Sequence, residues 1–174
     1  MTRVSHVYVL DAGVLFSTWA RRIQDGELVT VPNVLEEVKN RPSKERMGIM
    51  MLLGRLSDEQ PELSSLEAAR AAARNTGDDK VLSHTDIELL GLAHSKKVQG
   101  LMTTVVSSDL AVLNTARHMG LLTIDPSGKF QHEIIWSLKC PACNHRIKSK
   151  AKSLECPICG TQMRRVVSRR KKTS

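Results

Sequence analysis

Val7-Tyr8-Val9-Leu10-Asp11 is a short run of apolar and β-branched residues that ends at an acid. Apolar runs of this length are typical of strands buried inside a parallel sheet. A second run, residues 101–106, has the same character and is followed by Ser107-Ser108-Asp109. Helical patterns separate the two runs, so the sequence predicts an α/β fold with a parallel sheet flanked by helices.

The segments around these two runs extend the same pattern. We expect a brief strand or a turn at residues 28–31 and a strand at residues 121–124. Helices are expected from Pro32 onward and over residues 44–56, 66–74, 85–94 and 109–119. Pro32 suits the first turn of a helix, and Gly77 and Gly120 each follow a helical pattern, as residues at helix ends do.

The main domain is expected to end at Asp125-Pro-Ser-Gly128, which has the composition of a turn. After it, residues 130–139 have an extended pattern that leads into a cluster of cysteines. The predicted division is therefore a main domain over residues 1–127, a small domain with its connecting strand over residues 128–165, and a basic tail over residues 166–174.

The net charge of the 174-residue chain is +8, and it is unevenly distributed. Residues 139–174 contain 11 lysines and arginines and one acid, which leaves 15 basic and 17 acidic residues before them. A basic segment beside a mildly acidic body predicts a polyanionic partner, with nucleic acid first and an acidic membrane surface second. A disordered solubilising tail is the alternative for residues 166–174.

The chain shows none of the patterns expected of a secreted or membrane protein. Asp11 interrupts the first apolar run, and the small-residue cleavage site of a signal peptide is missing. Apolar stretches stay far below the ~20 residues of a membrane span. We therefore expect a cytoplasmic protein without a membrane partner.

The four cysteines form two pairs, Cys140-Pro-Ala-Cys143 and Cys156-Pro-Ile-Cys159, with 12 residues between them. Each pair can form a tight turn, and two such turns complete a tetrahedral sulfur site of the kind that holds structural zinc. Gly160 fits the second turn because glycine accepts a left-handed backbone. Two disulfides, a redox pair and an iron–sulfur cluster are the alternatives to this zinc ribbon.

Many basic residues surround the cysteines, and we expect them to bind RNA phosphates. The predicted RNA-binding residues are Lys139, Arg146, Lys148, Lys150, Lys152, Arg164 and Arg165. Trp136 precedes them and has two possible roles. It can stack on an unpaired base, or it can seal the ribbon against the main domain.

Four acids occupy positions where an α/β fold places its sites, at strand ends or on helices that begin there. Asp11 closes the first apolar run and Asp109 follows the second, where it could also cap its own helix. Glu37 lies about 100° from the centre of the apolar stripe of its helix, so it can edge a buried site, whereas Glu36 faces water.

The fourth acid, Asp86, lies in Thr85-Asp-Ile-Glu88, which fits a capping box with Thr85 as the cap. Its simplest role would be to favour the positive end of the helix dipole. Gathering several carboxylates is unfavourable, since two of them ~4 Å apart repel by roughly 4 kcal/mol at a dielectric of 20. A divalent cation offsets that repulsion, and oxygen ligands select Mg²⁺ or Mn²⁺. The combination predicts a metal-dependent phosphodiester hydrolase.

The motifs together resemble the pattern of PIN-domain nucleases. They are Asp11, the V-x-x-E of residues 34–37, Ser83-His-Thr-Asp86, and Ser107-Ser-Asp109 with Asn114. Residues 76–93, followed by Trp136 and the ribbon, resemble the narrower Nob-one family. Members of that family mature the 3′ end of small-subunit ribosomal RNA. The resemblance covers nearly the whole chain, and the compact length is similar to that of archaeal members.

This resemblance implies that Asp11, Glu37, Asp86 and Asp109 bind the catalytic Mg²⁺ or Mn²⁺. It also implies that Ser107 helps to hold the site and that Asn114 supports it. Many members carry an acidic doublet where this chain has Ser108-Asp109, which leaves open whether a second metal binds tightly or only with substrate.

The implied activity is an endoribonuclease reaction that leaves 3′-hydroxyl and 5′-phosphate ends. The implied partners are RNA, in particular precursor small-subunit ribosomal RNA, and the assembling small ribosomal subunit. Two other functions stay open: a toxin-type PIN ribonuclease, which usually lacks a zinc ribbon, and a non-catalytic RNA-binding assembly factor.

Overall fold

The computed structural model describes residues 6–17, 19–23, 25–148 and 154–172 of the chain. Five parallel strands form the central sheet in the order β3-β2-β1-β4-β5, which confirms the predicted α/β fold. These strands are β1 (His6–Leu10), β2 (Glu27–Thr30), β3 (Leu56–Asp58), β4 (Met102–Val106) and β5 (Leu122–Ile124). Val7, Val9 and Leu10 are completely buried, because β1 lies at the centre of the sheet with neighbours on both sides.

Helices connect the strands, as parallel pairing requires. They are α1 (Ala12–Phe16), α2 (Pro32–Glu37), α3 (Arg41–Leu52), α4 (Leu63–Thr76), α5 (His84–Val98) and α6 (Leu110–His118). Pro32 occupies the first turn of α2, and Gly77 ends α4 in the left-handed conformation, with φ of 84°. Helix α1 and the 3-10 turn Trp19–Arg22 were not predicted.

One predicted helix was misplaced. The helix expected over residues 44–56 is α3, which begins earlier at Arg41 and ends at Leu52. Gly54 follows in the left-handed conformation (φ 65°), and its N–H donates to the Met51 carbonyl at 2.9 Å. This turn frees Leu56 to begin the edge strand β3, whose pairing with β2 buries that side chain.

A second, antiparallel sheet has the order β7-β6-β8. It consists of β6 (His132–Lys139), β7 (Arg146–Lys148) and β8 (Arg164–Lys172). The expectation of a basic tail from residue 166 was wrong up to Lys172, because β8 pairs with β6 along its whole length. Only Thr173 and Ser174 of that predicted tail lie outside the described residues.

The core of this second sheet is small. It contains Leu138, Met163, Cys140 and Cys156, with Ile147 packed against them. Because so few apolar side chains supply little stabilisation, we expect the folding of this unit to depend on a bound ion. Within the described ranges, no helix combines the length and the apolar character that crossing a membrane requires.

Candidate functional site

The candidate site lies at the topological switch point of the parallel sheet. The chain leaves β1 for β2 on one side, while β4 pairs on the other side of β1. In open α/β sheets, ligands bind beyond the carboxyl ends of strands at such a point. Asp11 directly follows β1, and its N–H donates to the Val106 carbonyl of β4 at 3.1 Å. This bond brings Asp11 beside Ser107.

Asp11 is held by two hydrogen bonds on its two carboxylate oxygens. The Ser107 hydroxyl donates to Oδ2 at 2.5 Å, and the Ala12 N–H donates to Oδ1 at 2.6 Å. Ser107 itself is fully buried. Its Oγ also accepts the Asp109 N–H at 2.9 Å, so one hydroxyl links the ends of β1 and β4.

The carboxylates of Asp11, Asp86 and Asp109 interact electrostatically. Burial raises the pKa of Asp11, the hydrogen bonds from Ser107 and Ala12 act in the opposite direction, and the charges of Asp86 and Asp109 raise it further. The net effect is a pKa above the usual value of 3.8. The fold therefore gathers three of the four predicted acids around one region of negative potential.

Asp86 lies in the first turn of helix α5, but its capping geometry differs from the prediction. Ser83, and not Thr85, is the N-cap, and its Oγ accepts the Asp86 N–H at 3.1 Å. Asp86 Oδ2 accepts the Ser83 N–H in return at 2.7 Å, which completes the capping box. The reciprocal pair fixes the position of the Asp86 carboxylate at the start of the helix.

Asp109 is the N-cap of α6, as its sequence position allowed. Its Oδ1 accepts the N–H groups of Ala111 at 2.7 Å and Val112 at 3.3 Å. The bonds therefore leave Oδ2 of Asp109 and Oδ1 of Asp86 without a hydrogen bond among the described residues. A capping role and a place in the acidic site coexist at both positions.

Glu37 is placed differently from the other acids. It is the last residue of α2 and is exposed. The acids whose charges raise the pKa of Asp11 are Asp86 and Asp109, and Glu37 is not one of them. Its participation in metal binding stays a prediction. Glu88, which we expected in the capping box, instead is nearly buried and accepts a hydrogen bond from Asn33 Nδ2 at 2.6 Å.

The acidic site fits a hydrated divalent cation. Magnesium usually keeps several waters and needs only one or two protein carboxylates. The donors are carboxylate oxygens, which favour Mg²⁺ or Mn²⁺ over softer metals.

The four cysteines form a compact sulfur cluster. Sγ of Cys140 lies 3.5 Å from Sγ of Cys159, and Sγ of Cys143 lies 3.5 Å from that of Cys156 and 3.6 Å from that of Cys159. Tetrahedral zinc with ~2.3 Å bonds places its sulfurs about 3.8 Å apart, whereas a disulfide needs about 2.05 Å. All four cysteines are free, and the geometry fits one tetrahedral metal.

The two cysteine pairs form matching turns. Gly160 N–H donates to the Cys156 carbonyl at 2.9 Å, and Asn144 N–H donates to the Cys140 carbonyl at 3.1 Å. Both residues have a left-handed backbone, with φ of 72° for Gly160 and 61° for Asn144. Gly160 was predicted from the sequence and Asn144 was not, although asparagine is the residue that adopts this conformation best after glycine.

The thiol of Cys159 has a lowered pKa. Hydrogen bonds with the side chain and backbone of Thr161, together with those from neighbouring thiols, lower the pKa of Cys159 to about 6. A thiolate is the form that binds metal. The lowered pKa of Cys159 therefore favours its metal-binding form.

Three of the predicted RNA-binding residues form a row across the second sheet. Lys139 of β6 is paired with Arg146 of β7 and with Arg164 of β8, so the three side chains share one face. Like charges directly opposite each other destabilise a sheet. An anionic partner such as phosphate offsets that repulsion.

The remaining predicted RNA-binding residues are placed as follows. Lys148 ends β7 and is exposed, and Lys150 and Lys152 lie outside the described residues. Arg165, in contrast, is not a free cation. It forms an ion pair with the buried Asp78, and its guanidinium lies 4.2 Å from the centroid of the Trp136 ring.

These contacts join the two sheets. Asn114 of α6 donates through Nδ2 to Asp78 Oδ2 at 2.6 Å and to the Ile134 carbonyl at 2.7 Å, and its Oδ1 accepts the Ile134 N–H at 2.6 Å. We call Asp78, Asn114, Trp136 and Arg165 the interdomain clasp. Asn114 therefore holds the ribbon strand, and Trp136 is half-buried under Arg165.

Comparison with known proteins relates the chain to ribonucleases. A family model described as "PIN domain of ribonuclease" matches residues 8–95. An Endoribonuclease Nob1 of Pyrococcus abyssi is 31% identical over 147 residues, covering 84% of this chain and 88% of that protein. An Endoribonuclease Nob1 of Archaeoglobus fulgidus is 31% identical over 172 residues, covering 97% of this chain and 96% of that protein. A Ribonuclease VapC3 of Aeropyrum pernix is 36% identical over 113 residues, covering 65% of this chain and 81% of that protein.

Proposed function

This chain belongs to the PIN-domain ribonucleases of the Nob1 type, and from that premise we propose that it cleaves precursor small-subunit ribosomal RNA at its 3′ end in the cytoplasm. The observation that carries the proposal is the gathering of Asp11, Asp86 and Asp109 at the switch point of the sheet, where burial first, and then the charges of Asp86 and Asp109, raise the pKa of Asp11. Retaining such mutual repulsion in a folded protein is typical of a site built for a cation.

The residues of the site have separate tasks in this proposal. Asp11, Asp86 and Asp109, with Glu37 from the end of α2, hold one or two Mg²⁺ or Mn²⁺ ions. When bound, such an ion neutralises phosphate charge and lowers the pKa of water in its shell. Ser107 fixes the rotamer of Asp11, and the helix caps fix Asp86 and Asp109, so the carboxylates are oriented before substrate arrives.

RNA is held by the second sheet. The row of Arg146, Lys139 and Arg164, with Lys148 nearby, supplies the phosphate contacts, and a structural zinc ion on the four cysteines stabilises the turns that carry it. Because each neutralised phosphate releases counterions, affinity for RNA should fall steeply with salt concentration. The acidic site then need not attract phosphate without help.

The test is cleavage of a single-stranded fragment that spans the 3′ end of precursor small-subunit RNA, with Mn²⁺ or with EDTA. Asp11→Asn removes a charged ligand and is expected to lower the rate by more than about 100-fold, beyond the loss typical of supporting residues. Asp25→Asn is the matched control, because Asp25 is exposed and precedes the amino end of β2, whereas the site lies at the carboxyl ends of the strands. If Asp11→Asn cuts as fast as the wild type, the site is wrong.

A toxin-type PIN ribonuclease is the second candidate, and the chain is also similar to a protein named Ribonuclease VapC3. The two functions differ in substrate, so RNA crosslinked to the protein in cells distinguishes them. A peak at the 3′ end of precursor small-subunit RNA supports the proposal, whereas peaks in transfer or messenger RNA support the toxin. Crosslinking to ribosomal RNA without metal-dependent cleavage would identify a non-catalytic assembly factor instead.

A further inference from the structure

A cleft of about 470 Å³ lies where the first turn of α6 meets one face of the second sheet. We call it the seam cleft, and its lining includes Leu110, Phe130, Trp136, Lys129 and Arg170. The volume is within the range of small-molecule sites. The cleft combines two aromatic rings with several cations.

The seam cleft begins beside the candidate active site. Leu110 and Ala111, which line it, directly follow Asp109. The Ala111 N–H donates to Asp109 Oδ1 at 2.7 Å, so one wall of the cleft is attached to a proposed metal ligand. A polymer that passes the acidic site can therefore place its next unit in the cleft.

The register of β8 determines which cations face the cleft. Ile135 is paired with Arg169 and Trp136 with Val167, so Ser168 is an extra residue in β8. Because of this bulge, Arg170 lies opposite Ile134 and shares the face of Trp136, while Arg169 points to the other face. Arg170 lines the seam cleft, and Arg169 lines a separate depression on the far side.

The charges in the seam cleft suit an anion. Asp78 is the only acid that lines it within the part of the chain that the structure describes, and the ion pair with Arg165 already neutralises that carboxylate. Lys129 and Arg170 are both exposed, and among the described residues neither forms an ion pair. Arg165 covers the Trp136 ring from one side and fixes its orientation.

We propose that the seam cleft is a subsite for one unpaired nucleotide of single-stranded RNA, next to the phosphate that is cut. The base packs against Phe130 and the accessible part of Trp136, and its phosphate contacts Arg170 and Lys129. Aromatic rings bind bases of any sequence, and adjacent cations bind the backbone, as in other single-strand sites. The inference rests on the proposed function, because it assigns the substrate of the same site.

The test uses binding of a short single-stranded RNA to the zinc-loaded full chain in EDTA-free buffer without added Mg²⁺ or Mn²⁺, so that binding is read apart from cleavage. Arg170→Glu and Arg169→Glu change the charge equally at neighbouring positions on opposite faces. Fluorescence anisotropy should give a loss of affinity for Arg170→Glu about 10-fold larger than for Arg169→Glu. Phe130→Ala should weaken binding roughly 5- to 150-fold, the range for losing one stacked base.

A second measurement follows Trp136 directly. In a Trp19→Phe background, Trp136 is the only tryptophan of the chain, and its fluorescence should be quenched when the RNA binds. Equal losses for the two arginine variants, together with unchanged Trp136 fluorescence, would overturn the inference even if the protein cuts RNA. Selective loss at Arg170 with quenching would support the subsite even if no RNA is cut, in which case only the proposed function fails.

Discussion

Ser107 connects two carboxylate positions through one hydroxyl group. It donates to Asp11 at 2.5 Å and accepts the Asp109 N–H at 2.9 Å, and it is fully buried. Groups that orient metal ligands are worth about 10- to 100-fold in metal affinity or activity. Ser107→Ala should therefore lose that much cleavage at limiting Mn²⁺, while Ser107→Thr, which keeps the hydroxyl, should stay close to wild type.

The measurement is the initial cleavage rate over a Mn²⁺ titration, with thermal melting as the control for folding. A Ser107→Ala protein with an unchanged rate at every Mn²⁺ concentration would show that the hydroxyl does not orient Asp11.

Asp125 stabilises the turn between the two sheets through both of its carboxylate oxygens. Oδ1 accepts from the N–H and hydroxyl of Ser127, and Oδ2 accepts from the N–H groups of Lys129 and Phe130. Partial burial would raise the pKa of Asp125, but these hydrogen bonds outweigh it and hold the pKa below the usual 3.8.

A carboxylate with a lowered pKa stabilises the fold above its unfolded-state pKa, and this contribution is lost as the pH falls through the folded-state pKa. Asp125→Ala should therefore lower the free energy of unfolding at pH 7 by roughly 1 kcal/mol, a value reduced for solvent exposure. The difference between the two proteins should shrink below about pH 4 in urea titrations. A difference that does not shrink as the pH falls would assign the effect to packing instead of charge.

Site residues that directly follow strands could be predicted from the sequence, whereas contacts between residues far apart in the chain could not. Asp11 and Asp109 could be predicted because a parallel sheet brings the ends of neighbouring strands to one edge. Arg165 was predicted as an RNA ligand, yet its partner Asp78 lies 87 positions earlier in the chain. No local pattern relates those two residues, so the ion pair could not be foreseen.

Among the elements, the start of α5 shows how packing chooses between two local solutions. The sequence Ser83-His-Thr-Asp-Ile-Glu88 contains two overlapping capping boxes, one from Ser83 to Asp86 and one from Thr85 to Glu88. The structure uses the first, because Glu88 is nearly buried and bonded to Asn33 of α2. We predicted only the second box, and the contact between α2 and α5 excludes it.

The cysteine turns allow a prediction at the level of the element. Asn144 has φ of 61°, a conformation that disfavours residues with a Cβ by about 1–2 kcal/mol and glycine much less. Asn144→Gly should retain the metal as well as the wild type. Asn144→Val should release it faster, by roughly 5- to 30-fold if the whole strain falls on the bound state.

Metal release to a chromophoric chelator measures this effect directly. Ile147→Val in the neighbouring strand β7 serves as the packing control, since it trims a half-buried side chain of the same small core without changing the backbone of the turn. Its release rate should rise less than that of Asn144→Val. Equal release from the glycine and valine variants of Asn144 would contradict the role of the left-handed backbone.

At the scale of the whole molecule, the contacts between α6 and β6 join the two sheets. The sequence predicted a main domain and a ribbon, and the change at residues 125–128 was visible as turn composition. It did not predict the clasp, because Asn114 resembled a supporting residue of the acidic site. In the structure its side chain instead bonds the backbone of β6 as a neighbouring strand would.

The clasp should couple the ribbon to the nuclease domain. Asn114→Ala leaves the Ile134 N–H and carbonyl without their partner and removes one donor to Asp78. Unpaired groups of this kind destabilise by about 1–3 kcal/mol, so the free energy of unfolding should fall by that order. Hydrogen exchange at the Ile134 amide should accelerate, because local opening of β6 no longer breaks a bond to α6.

Asn33→Ala is the matched control, since it also removes a side-chain amide that joins two elements, here α2 and α5, far from the seam in the chain. It should leave exchange at the Ile134 amide unchanged. If Asn114→Ala also leaves that exchange unchanged, β6 is held by its own sheet alone. The orientation of the ribbon would then be free of the nuclease domain, and a cleft built from both could not position RNA beside Asp109.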